Sequence, residues 1–138
     1  MTSFLLDTNV VSESMRPRPD AKVAAFLAKI QTCAISVITL HELIYGAQRL
    51  PDGARRDSIT ESIENLTRLY ADSILAVREA EAARAGSIRA IAARRGLTMH
   101  LADTLIAATA AVNGCTLVTR NARDFQGLNL EIVNPFSN

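Results

Sequence analysis

The sequence predicts an α/β fold, a three-layer α/β/α sandwich around a central parallel sheet of four to five strands. Three observations predict it. Short apolar runs recur along the chain, each ended by a polar turn. Amphipathic stretches of helical period separate these runs. The resulting order, β-α-α-β-α-α-β-α-α-β-(short α)-β, is the alternation that covers a parallel sheet on both faces.

The first run, Ser3-Phe4-Leu5-Leu6, stops at Asp7-Thr8-Asn9 and reads as a buried strand followed by a helix start. Arg16-Pro17-Arg18-Pro19-Asp20 breaks the chain, and Asp20 is placed to cap a helix from Ala21 to Ile30. Cys33-Ala34-Ile35-Ser36 is the second strand. Thr39 and Glu42 have capping-box spacing and open a helix to about Leu50. Pro51-Asp52-Gly53 precedes a long helix from Ala54 to about Tyr70. Ser73 to Ala76 is the third strand. The next helix runs to Arg94-Arg95 and stops at Gly96, basic residues then glycine, as helix C-termini prefer. Leu101 to Val112 is apolar almost all round and is expected to be buried. Asn113-Gly114 ends it. Cys115 to Val118 and Leu130 to Val133 are the last strands. No repeat, linker or low-complexity tract interrupts this order, so residues 1–138 are expected to form a single domain.

Composition narrows the function. Hydrophobic residues make up 49% of the 138 and charged residues 21%, which is globular composition. No apolar run approaches the ~18 residues of a spanning helix, and no basic leader precedes Asp7. A cytoplasmic protein without membrane contact is expected. A net charge of +1 excludes a bulk polycation held to nucleic acid by charge alone. The two cysteines fall on predicted central strands and read as buried, inert thiols. With two scattered histidines they do not make a zinc site.

Four carboxylates resist a bland reading. Asp7 interrupts a strand-to-helix turn. Glu42 and Asp103 sit at helix starts, and Asp124 follows the strand ending at Val118. In a parallel sheet the strand C-termini and the helix N-termini after them share one edge, so these four are predicted to converge. Helix capping is the alternative for Glu42 and Asp103 taken singly. Two carboxylates ~5 Å apart repel by ~3 kcal/mol at an effective dielectric of ~20, and four make six such pairs. Such a set persists only if it is protonated, paired with arginine or bound to cations. Oxygen-only ligands suit Mg²⁺ or Mn²⁺ rather than zinc. A carboxylate-held metal that keeps water suits phosphodiester hydrolysis.

Other features have structural and functional readings side by side. Thr8 and Asn9 either cap the first helix or position a metal-bound water. Gly46 inside a helix suggests close helix packing. His41 and His100 read as hydrogen-bonded residues at helix starts. Arg55, Arg56, Arg89, Arg94 and Arg95 either contact RNA phosphates or line a solvated face, with Glu79 and Glu81 pairing Arg84 at helical spacing. Four Phe and two Tyr are few, which argues against an RNA surface built on base stacking.

The stretch from Phe4 to Glu13, FLLDTNVVSE, resembles the opening of PIN-domain ribonucleases, most closely the FitB-like branch of VapC toxins. Ser36 to Leu43 with Gly46-Ala47 and Arg49-Leu50 resembles that family's second motif. Leu101 to Ala107 resembles the third, and Leu117 to Asn121 through Phe125 the fourth. The resemblance spans Phe4 to Phe125 and implies a PIN-like sandwich. It implies a Mg²⁺-dependent endoribonuclease, with Mn²⁺ as a possible substitute. Asp7, Glu42 and Asp103 form the implied catalytic set, with Asp7 and Asp103 as direct metal ligands and Asp124 as the candidate fourth acid. Thr8, Asn9, Thr119 and Asn121 are possible supporting residues. Many relatives carry Asp where this chain has Asn121, and Asp124 lies three residues on, so either completes the set. The implied role is the toxin of a type II toxin–antitoxin pair, inhibited by a cognate VapB-like antitoxin, as a homodimer within a larger assembly.

Three readings compete with the toxin. A PIN-domain nuclease could serve RNA processing instead. An aspartyl phosphatase of the haloacid-dehalogenase kind also begins with strand-then-Asp, but needs a second Asp where this chain has Asn9. A non-catalytic nucleotide-binding module lacks support, because no glycine-rich phosphate cradle is present.

Overall fold

The computed structural model describes residues 3–136. Five strands form one parallel sheet in the order β3-β2-β1-β4-β5. They are β1 (Ser3–Leu6), β2 (Cys33–Ser36), β3 (Ile74–Leu75), β4 (Cys115–Val118) and β5 (Ile132–Val133). Helices α1 (Thr8–Ser14), α2 (Ala21–Lys29), α3 (Val37–Gln48) and α4 (Ala54–Leu69) precede β3. Helices α5 (Glu79–Arg94) and α6 (Leu101–Val112) follow it, and a 3₁₀ turn, Ala122–Phe125, lies between β4 and β5. The expected sandwich and the expected order are both present. No described helix is long and apolar enough to cross a membrane.

Alternation along the strands builds two cores. Leu5 and Leu117 face α5 and α6, where Ile88, Ile106 and Phe125 close the layer. Leu6 and Val118 face the opposite way, against Val10, Val11, Val23, Leu43 and Ile63 of α1 to α4. β1 is central and buried on both faces, with Leu5 and Leu6 at most 1% exposed. The chain leaves β1 toward β2 on one side and returns to β4 on the other. The gap beyond the C-termini of β1 and β4 is therefore the point where strand order reverses, the usual place for a site in such sheets.

Local chemistry sets most element ends. The Asp20 carboxylate accepts from the Lys22 and Val23 amides and caps α2. Gly96 adopts φ +77° after α5, a conformation that favours glycine.

Several expectations need correction. Thr39 and Glu42 do not form a capping box: α3 begins earlier, and Ser36 caps it by accepting from the Ile38 amide at 3.0 Å. The ladder of β2 ends at Ser36, so the chain turns into helix there and Thr39 becomes a buried helical residue. Gly46 is not a packing contact, because a Cβ there would meet nothing within 4 Å. The two thiols are half-buried rather than buried, since both lie where their strands begin, away from the sealed ends. Glu81 does not pair with Arg84. It is buried and accepts from the Arg78 amide at 3.0 Å and from Asn113 Nδ2 at 3.4 Å. Arg56 pairs with Asp52, and Arg95 donates to the Gly127 carbonyl, so these two are occupied within the fold.

Candidate functional site

Asp7 stands at the exit of the central strand. Its amide donates to the Val118 carbonyl at 2.9 Å, which extends the β1–β4 pairing into the site. Its side chain caps α1, with Oδ1 accepting from the Thr8 amide at 2.7 Å. Oδ2 accepts from Thr119 Oγ1 at 2.7 Å and from Asn9 Nδ2 at 3.3 Å. Asn9 is itself held, because its Oδ1 accepts from the Arg120 amide at 3.1 Å. Thr119 is fully buried at the end of β4, and its hydroxyl also accepts from the Asn121 amide. Asp7 is 3% exposed, so its carboxylate is fixed in position and largely stripped of water.

Glu42 arrives from the second turn of α3. Its Oε1 accepts from Thr8 Oγ1 at 2.6 Å. Thr8 Oγ1 also lies 3.1 Å from the hydroxyl of buried Thr39. The capping alternative for Glu42 is thereby removed, since its carboxylate is held by a side chain from another element. Thr39 is the residue that sequence reasoning assigned the wrong role. Its three-residue spacing from Glu42 places both on neighbouring helix positions, and that was the available signal.

Asp103 lies in the first turn of α6, and Asp124 on the exposed 3₁₀ turn. Burial pushes the Asp7 carboxyl above the usual range, and the Thr119 and Thr8 hydrogen bonds pull it part of the way back. The charges of Asp103 and Glu42 push it up further. The Asp103 carboxyl is raised first by burial and then by Glu42, with a smaller push from Asp124, while His100 opposes the rise. The four acids from four elements therefore share one electrostatic environment.

The cluster is looser than six close pairs. Among the described residues, no three His, Cys, Asp or Glu side chains close on one point tightly enough to hold a metal ion. The spread has a cause: Glu42 is drawn to Thr8, Asp7 is tied to Thr119, and Asp124 stands on the exposed turn. The donors are nevertheless all oxygen. A hard cation such as Mg²⁺ keeps several waters and takes only one or two carboxylates directly, so a wide acidic set suits it.

The remaining candidates separate. Asn121 precedes the 3₁₀ turn, and its carbonyl accepts from the Asp124 amide. His100 occupies the capping position of α6 and makes no side-chain capping bond. His41 lies inside α3, exposed, and stacks on Tyr45 rather than starting a helix. Arg55 lines a groove of about 590 Å³ that also meets Thr8, Glu42, Gly46 and Arg16.

Comparison with known proteins agrees with this fold. The family model for the PIN domain matches residues 4–129. Toxin FitB of Neisseria gonorrhoeae is 36% identical, over 96% of this chain and 98% of its own. A VapC ribonuclease of Sinorhizobium fredii is 34% identical, over 96% of this chain and 97% of its own. The crystal structure of FitAcB from Neisseria gonorrhoeae superposes with a TM-score of 0.88 at 36% identity, covering 96% of this chain and 97% of that one. With its fold and nearly its whole length matched, this chain belongs to the PIN-domain family, among the FitB and VapC toxins.

Proposed function

We propose that this chain, as a single domain, is a metal-dependent endoribonuclease and the toxin of a type II toxin–antitoxin pair. The observation that carries the reading is the buried Asp7 carboxylate at the β1–β4 exit, raised first by burial and further by the charges of Asp103 and Glu42 from two other elements. A lone capping aspartate does not need two further acids beside it. The ribonuclease and toxin names of its relatives support the same reading.

Asp7 and Asp103 are the residues that would hold a divalent cation, with Mg²⁺ proposed and Mn²⁺ as a substitute. A hard divalent cation, when bound, lowers the pKa of a coordinated water and neutralises charge building at the phosphate. The chain's own groups prepare that chemistry. Thr119 and Asn9 fix Asp7, so the carboxylate need not reorganise. Thr8 fixes Glu42, whose other oxygen would take a proton from the attacking water. Asp124, whose charge adds a small push on Asp103, is the proposed fourth acid of the set. The scissile phosphate of an RNA strand would lie over this edge.

The cognate partner is a VapB-like antitoxin. An acidic cluster of this kind is neutralised best by a guanidinium, which pairs with carboxylates in a bidentate manner. The protein is proposed to act in the cytoplasm, as a homodimer within a larger toxin–antitoxin assembly. The test is RNA cleavage by the purified chain. Cleavage with Mg²⁺ or Mn²⁺, lost in chelator and in Asp7→Asn, is expected. Metal-independent cleavage, or full activity in Asp7→Asn, would overturn the reading.

A further inference from the structure

Helix α3 carries a second chemistry beside Glu42. His41, Tyr45 and Arg49 follow one another at four-residue spacing, and all three are exposed. Tyr45 is 59% exposed. The His41 and Tyr45 rings are parallel to within 1°, with centroids 6.4 Å apart. The Arg49 guanidinium stands over the Tyr45 ring, 5.4 Å from its centroid. Arg49 forms no ion pair among the described residues. Residues three and four apart are neighbours on a helix surface, so Tyr45 adjoins Glu42 and the stripe begins at the acidic edge.

Among the described residues, the ring and guanidinium contacts of this stripe are with one another. The core of α3 is made by Thr39, Leu43 and Ala47 on its other side. An exposed tyrosine ordered between an imidazole and a guanidinium presents a row of planar faces that ends in a cation. Unpaired nucleobases stack on such faces whatever their identity, and arginine adds both stacking and phosphate contact. A strand of RNA approaching four carboxylates is repelled by them, so a cationic, aromatic hold next to the site has a clear use.

We propose that His41, Tyr45 and Arg49 form a platform for single-stranded RNA, on which bases stack while the backbone enters the acidic site. The proposal rests on the endoribonuclease reading above. It also revises the expectation drawn from the low aromatic content, because one well-placed tyrosine suffices for a platform. A duplex offers no free base face and is not expected to use it.

The test uses the full chain, in chelator, with a fluorescently labelled single-stranded RNA of mixed sequence and the same RNA annealed to its complement. Tyr45→Ala is expected to weaken single-strand binding roughly tenfold, within the range of one lost base stack, and to leave duplex binding unchanged. Tyr45→Phe keeps the ring and recovers the loss, and Arg49→Ala weakens binding and flattens its salt dependence. With Mn²⁺ present, the Tyr45→Ala defect appears as a raised KM. Wild-type affinity and KM in Tyr45→Ala, while the wild type cleaves RNA, would overturn the platform and leave the nuclease standing. A changed molar mass in Tyr45→Ala with undiminished RNA binding would also overturn it, and would make the stripe a protein contact. A wild type that binds RNA through Tyr45 but does not cleave it supports the platform and removes the nuclease. A wild type that neither binds nor cleaves removes both.

Discussion

The hydroxyl of Thr8 donates to Glu42 at 2.6 Å across 34 residues of sequence. The bond joins the first turn of α1 to α3, and the Thr39 hydroxyl lies 3.1 Å from the same oxygen. It aims a half-buried carboxylate without neutralising it. Thr8→Val removes the donor at similar volume. RNA cleavage is expected to fall about tenfold and stability by about 1–2 kcal/mol, because Thr39 loses a partner where water is scarce. Thr8→Ser is expected to retain both. Cleavage assays and thermal melts on the two variants decide it, and an unaffected Thr8→Val would mean Glu42 needs no such hold.

The acidic set makes a graded prediction. Asp7→Asn, Glu42→Gln and Asp103→Asn are each expected to reduce metal-dependent cleavage a hundredfold or more, on the order of 3 kcal/mol in transition-state stabilisation. Asp124→Asn is expected to cost less, since that residue stands on an exposed turn. Single-turnover cleavage rates at saturating Mn²⁺ provide the ranking. An Asp103→Asn protein with full activity would remove α6 from the site.

Stability and function oppose each other at Asp103. Its folded carboxyl is raised above the ordinary value of 3.8, as is that of Asp7. Between that value and the raised ones, the folded chain binds more protons than the unfolded chain. The associated stability is fully present below the unfolded value and is lost as pH rises through the folded ones. At neutral pH in chelator, Asp103→Asn is therefore expected to be more stable than wild type. The gain is about 0.5–1 kcal/mol, because solvent screens a half-buried charge. The gap should close as pH falls toward ~4. Mn²⁺ should reverse the order by binding the wild-type folded state more strongly. Thermal melts with chelator and with Mn²⁺ at two pH values read this out. A less stable Asp103→Asn in chelator, with an undiminished Mn²⁺ shift, would mean that the favourable helix-terminus interaction outweighs burial.

Gly46 lies in α3 with open space where a side chain would go. Gly46→Ala is expected to raise stability by about 0.5–1 kcal/mol through the unfolded chain's lost freedom. Denaturant midpoints at unchanged m-value would show it. A destabilised variant would mean that α3 packs more tightly at Gly46 than the structure shows.

Expression of the chain alone is expected to arrest a bacterial host, and expression of Asp7→Asn is not. Growth curves of the two strains, with protein levels matched, make the comparison. Equal growth would leave a nuclease and remove the toxin.

The order of elements was determined by the sequence alone, and the sequence alone named the candidate acids. Apolar periodicity and caps are local, and they name strands such as Phe4-Leu5-Leu6 and helix ends such as Asp20 and Gly96 without any partner. The rule that parallel strands share a C-terminal edge then carried Asp7, Glu42, Asp103 and Asp124 toward one place. Only the tertiary structure decided how they meet there. Thr119 reaches Asp7 across 112 residues, and no spacing rule encodes a bond of that span. Thr39 looked like a cap because Glu42 follows at the right distance, but the β2–β3 ladder ends at Ser36 and starts the helix there. Glu81 looked like the partner of Arg84, but it turns back to the Arg78 amide and accepts from Asn113 at the end of the neighbouring helix. The stripe of His41, Tyr45 and Arg49 was visible as spacing and not as a surface, because exposure depends on what packs against the far side of α3. Contacts between distant elements set these outcomes, and a free-energy difference of one hydrogen bond, about 1 kcal/mol, is enough to choose among the local alternatives.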